Sequence, residues 1–276
     1  MPRLAWDWAK RVSFGPDRCA SLDWGIELWK WEINRYESVD AIAAARARAG
    51  QTSDSDALLY EATSALLRDV IDAAGGVEGA FLRLTESMRL AQAAYERLPV
   101  EFWQLPDLSQ LPQGMGFQNP ALEDAWYSVE ELIVWARVLD DRLKRPAVDR
   151  KRYPSQGLLP ALADGPRRDA VVRARSTLLA AGVAEARYLA GLNLHMQSMQ
   201  AGSKGGRVRD GVVVLPFPDP VTEPLSHRWQ LRHEQGRDAV SFADRLFAGV
   251  QEFMDDLLGA FEQFTPERFK RRNITD

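Results

Sequence analysis

The chain has 276 residues, of which 46 % are hydrophobic and 27 % charged, with a formal net charge of -4. This is the balance of an ordinary globular chain rather than a disordered one. One cysteine, Cys19, excludes an internal disulfide and a cysteine-rich zinc site, and three histidines (His195, His227, His233) exclude a histidine-rich metal centre. The longest apolar stretch, 211–218, is far short of a membrane span, and the start MPRLAWDWAKR lacks the apolar core of a signal peptide. A cytoplasmic protein with no membrane association is expected, and no cofactor or metal.

Taken in chain order, the periodicity is helical almost throughout. Within the Trp-rich N-terminal region 1–50, Trp24, Leu28 and Trp31 share one face, and Gly50 offers a stop. Ser53 or Asp54 is placed to cap a helix whose stripe is Leu58, Leu59, Ala62, Leu66, Val70 and Ile71, with Gly75-Gly76 predicted to end it. A further helix carries Val77, Phe81, Leu84, Met88, Ala91, Tyr95 and Leu98, at the alternating four and three that suits a neighbour crossing at about 20°. A loop rich in Pro and Gly precedes Asn119-Pro120, where the next helix starts with Leu122, Ala125, Val129, Leu132, Ala136, Leu139 and Leu143 on one face.

Residues 146–166 read as loop, and helical character resumes from Arg167 to about Gln200, interrupted at Gly182 and Gly191. In RVRDGVVV, Asp210-Gly211 between β-branched runs predicts a two-residue hairpin turn, and prolines at 216, 218, 220 and 224 force an extended path. The last helix is predicted over about Asp238 to Phe264, with Ala243, Leu246, Val250, Phe253, Leu257, Phe261 and Phe264 inward. The reading is all-α: a single-domain antiparallel bundle over 1–276, of five to seven helices in 54–200 and 238–264, with a hairpin and Pro-rich insertion at 201–224.

Charge is unevenly spread. Residues 1–138 hold 13 Lys+Arg against 21 Asp+Glu, a net of -8; the remainder holds 22 against 18, a net of +4. The basic cluster Arg142, Lys144, Arg145, Arg150, Lys151 and Arg152 suits phosphate, because a guanidinium binds it bidentately. Asp141, Asp149 and Asp169 are interleaved with the basic residues, which is the pattern of a solvated face. Trp6, Trp8 and Trp29, off the Trp24/Trp31 stripe, are candidates for a protein-docking or base-stacking surface. Gly-Ser-Lys-Gly-Gly at 202–206 follows a helix and precedes a hairpin, the reverse of a phosphate loop. The pairs Glu130-Glu131, Asp140-Asp141 and Asp255-Asp256 lack the Glu-x-x-His partners of a di-iron bundle.

In His227-Arg-Trp-Gln-Leu-Arg-His233, Arg228 and His233 are separated by four residues just before the final helix. This arrangement resembles the HEPN superfamily of helical bundles, in which an Arg, a polar residue, a few variable residues and a His precede the last helix; here Trp229 takes the polar position. The resemblance implies a homodimer acting in prokaryotic defence or a toxin–antitoxin pair as a metal-independent endoribonuclease. Arg228 would hold the scissile phosphate and His233 would move the 2′-hydroxyl proton. Two functional expectations follow: macromolecular binding, of RNA through the Arg-rich second half or of a protein partner, and HEPN-like RNA cleavage.

Overall fold

A computed structural model of the chain describes residues 55–98, 119–144, 157–162, 164–191, 206–209, 211–221 and 231–264. Among these residues the protein is all-α with a single small hairpin. The helices are α1 Ser55–Tyr95, α2 Pro120–Lys144, α3 Leu158–Ala161, α4 Pro166–Ala181, α5 Val183–Gly191 and α6 Ala239–Phe264; strands β1 Arg207–Arg209 and β2 Val212–Val214 lie between α5 and α6.

The described residues fall into two compact units, each drawn from separate stretches of chain. One contains 76–98, 119–137, 179–191, 206–209, 211–221 and 231–249; the other contains 55–75, 138–144, 157–162, 164–178 and 250–264. The long helices α1, α2 and α6 contribute residues to both.

Gly75-Gly76 does not end a helix: α1 runs through it without a break. The physical reason lies across from it in the first unit. A Cβ on Gly76 would sit 2.2 Å from Cδ2 of the Trp135 indole on α2, so this glycine is where a neighbouring side chain lies against the α1 backbone, not where the helix stops. Further along, Arg83 of α1 pairs with Glu131 of α2 at 2.5 Å. As the α1 number rises from 76 to 83 the α2 number falls from 135 to 131, so the two helices run antiparallel here. Val77, Phe81, Leu84, Met88, Ala91 and Tyr95 are all buried as their spacing predicts, and Phe81 stacks on Phe247 of α6 at 4.7 Å between centroids.

Helix boundaries follow local chemistry. Asn119 Oδ1 accepts the Ala121 N–H at 3.1 Å with Pro120 in the first helical position, the expected start of α2. Gly182, at φ +113, separates α4 from α5, a backbone conformation that a residue with a Cβ rarely adopts. In the hairpin, Arg209 pairs with Val212, and Gly211 takes φ +78.

The Pro-rich path beyond β2 is paired rather than loose. Phe217 N–H donates to Arg237 C=O (2.9 Å), Ala239 N–H to Leu215 C=O (2.8 Å), and Asp219 N–H to Arg232 C=O (2.8 Å). Asp238 ends this zipper and starts α6: its Oδ1 accepts the Leu215 N–H at 3.2 Å, and its Oδ2 accepts the Ser241 N–H at 2.9 Å as an N-cap. Phe217 and Phe242 stack at 4.3 Å, with the Arg237 and Arg245 guanidinium groups 5.1 and 5.5 Å from their respective ring centroids. Glu185 of α5 ties the arginines together, at 2.5 Å from Arg237 and 3.8 Å from Arg245.

In the second unit the organising group is a buried acid. Asp140, 1 % exposed, receives Nε and Nη2 of Arg175 on Oδ1 at 3.1 and 2.9 Å, and Lys144 on Oδ2 at 2.7 Å. Arg167 of α4 sits 5.3 Å from the Phe261 ring centroid of α6.

Candidate interaction surface

The basic cluster singled out above is only partly described, and what is described is neutralised. Arg142 pairs with Asp69 at 3.2 Å and Lys144 with Asp140. Arg145, Arg150, Lys151 and Arg152 lie outside the described residues, as do Trp6, Trp8, Trp29 and Arg228. In the neighbouring basic run, Arg168 pairs with Asp164 and Arg175 with Asp140. These cations are committed to carboxylates of their own unit, which reduces what they offer a phosphate backbone.

His233 is described and half-buried. It lies between Arg232, whose carbonyl receives the Asp219 N–H, and the turn at Glu234 and Gln235, whose N–H groups donate to the Asp219 carboxylate at 2.8 and 3.0 Å. The Asp219 carboxylate therefore fixes the backbone that carries His233. The cap of α6 is Asp238, five residues on.

A different surface emerges on α2. Positions 127, 131 and 134 follow the i, i+4, i+7 spacing of one helix face, and Tyr127 and Val134 are 54 % and 50 % exposed. Glu131 between them is held by Arg83 of α1. On α1, Leu82 and Leu90 are also exposed, with the Glu86–Arg89 ion pair between them. Leu90 lies two turns beyond Arg83, and Tyr127 one turn before Glu131; because the helices are antiparallel, Leu90 and Tyr127 lie to the same side of the Arg83–Glu131 pair.

Further round α2, towards its buried side, lie polar atoms that are unmet among the described residues. Asn119 Nδ2, Trp126 Nε1 and Glu130 Oε1 are buried and have no hydrogen-bond partner among the described residues, and spacings of seven and four place them on one side of α2. Glu130 carries the electrostatic consequence. Burial pushes its carboxyl up to about 7, and no cation among the described residues offsets the shift. A carboxyl in this state exchanges protons near neutrality and gains strongly from any donor or cation brought to it.

None of Tyr127, Val134 or Leu90 was marked by the sequence reading, because helical periodicity locates the buried stripe and treats the opposite face as solvent. Glu130 was legible in part: Trp126, Glu130 and Ile133 are spaced four and three, which places an acid in a second apolar row. Among the described residues there is no group of three His, Cys, Asp or Glu able to hold a metal ion, and no described helix is long and apolar enough to cross a membrane.

Comparison of the chain with protein-family models, with curated proteins and with solved structures finds no match in any of the three.

Proposed function

We propose that the protein acts by binding another protein molecule through the outer face of α2. The observation that supports this reading is the exposed pair Tyr127 and Val134, spaced seven apart on one helix, beside the half-buried and uncompensated Glu130. Single exposed apolar residues are ordinary, but an exposed aromatic and an exposed valine on one helix face, beside a carboxylate with no partner among the described residues, have the make-up of a docking site: apolar contact area with an acidic anchor next to it. Binding of protein is favoured over binding of RNA because the described members of the basic clusters at 142–152 and 167–175 are largely engaged by acids.

The test is site-specific photo-crosslinking. A benzophenone side chain replaces Tyr127, and as a control Glu252 on the exposed face of α6, in cells producing the full chain. A protein adduct from position 127 and none from 252 is the expected result; no adduct from 127 overturns the reading. The purified protein is also incubated with RNA in EDTA. Cleavage abolished by His233→Ala would replace the binding reading with the metal-independent nuclease.

A further inference from the structure

We draw no further inference here: the strongest candidate, the exposed apolar pair Val172 and Leu179 on the outer face of α4, is a surface patch that nothing in the structure shows to be covered by any particular partner.

Discussion

Gln92 of α1 stands in for a neighbouring strand at Val213: its Oε1 accepts the Val213 N–H at 2.8 Å, and its Nε2 donates to the Gly211 carbonyl at 3.1 Å. One side-chain amide thus supplies both halves of a ladder step to β2, on the side away from β1. Replacing Gln92 by Leu, which fills similar space, leaves a buried backbone N–H unmet. That should destabilise the fold by about 1–3 kcal/mol. Urea denaturation measures the loss, and hydrogen exchange should show the Val213 amide losing protection ahead of amides in α6.

Gly76→Ala is expected to destabilise even though alanine is the better helix former by about 1 kcal/mol. The added methyl would meet the Trp135 ring at 2.2 Å, and overpacking of this kind costs about 1–3 kcal/mol or more. Trp135→Leu in the Gly76→Ala background should recover part of the loss, which a simple propensity effect would not do. Thermal unfolding of the two single variants and the double variant completes the cycle.

Glu130 predicts a pH dependence with a definite sign. In the unfolded chain its carboxyl titrates near 4.5, and in the fold at about 7. Below the lower value both states carry the proton and nothing is lost. Between the two, the unfolded state ionises first, so stability falls as pH rises; above the upper value the loss is complete. Glu130→Gln should therefore leave stability unchanged near pH 4 and raise it at pH 8, by about 1 kcal/mol once solvent screening of this half-buried group is allowed for. Denaturant midpoints at both pH values, at protein concentrations where the chain is monomeric, check the sign.

Asp140→Ala should destabilise by about 3–5 kcal/mol, the range for breaking a buried ion pair. Arg175 and Lys144 keep 23 % and 36 % of their side-chain surface exposed and are partly rehydrated, so the lower end is expected. Asp140→Asn, which keeps an acceptor for the Arg175 guanidinium, should lose less. Guanidinium denaturation ranks the two.

Much of the architecture was legible because it rests on periodicity and punctuation. The buried faces of α1, α2 and α6, the Asn119-Pro120 start and the hairpin turn at Gly211 all follow from spacing or from residues with one strong backbone preference. Gly75-Gly76 misled because glycine has two uses, stopping a helix and letting a neighbouring side chain lie against its backbone, and only the partner indole at 135 distinguishes them. The pairing of Leu215–Asp219 with Arg232–Ala239 was also missed, since prolines at 216, 218 and 220 hide an edge that still offers carbonyls and alternate amides. For the candidate surface, what mattered was which polar atoms fail to find partners. That property belongs to the assembled fold and to no residue alone.

Both compact units take part of their substance from α6, residues 239–249 in one and 250–264 in the other. During synthesis neither unit can close on α1 to α5 alone, because each also needs residues of α6. Until α6 emerges, the apolar surface it covers, Phe81 included, stays open to aggregation or to a chaperone. A ribosome-stalled chain ending before residue 239 should accordingly be protease-sensitive throughout α1 and α2. Release of α6 should protect both units within one narrow interval of chain length.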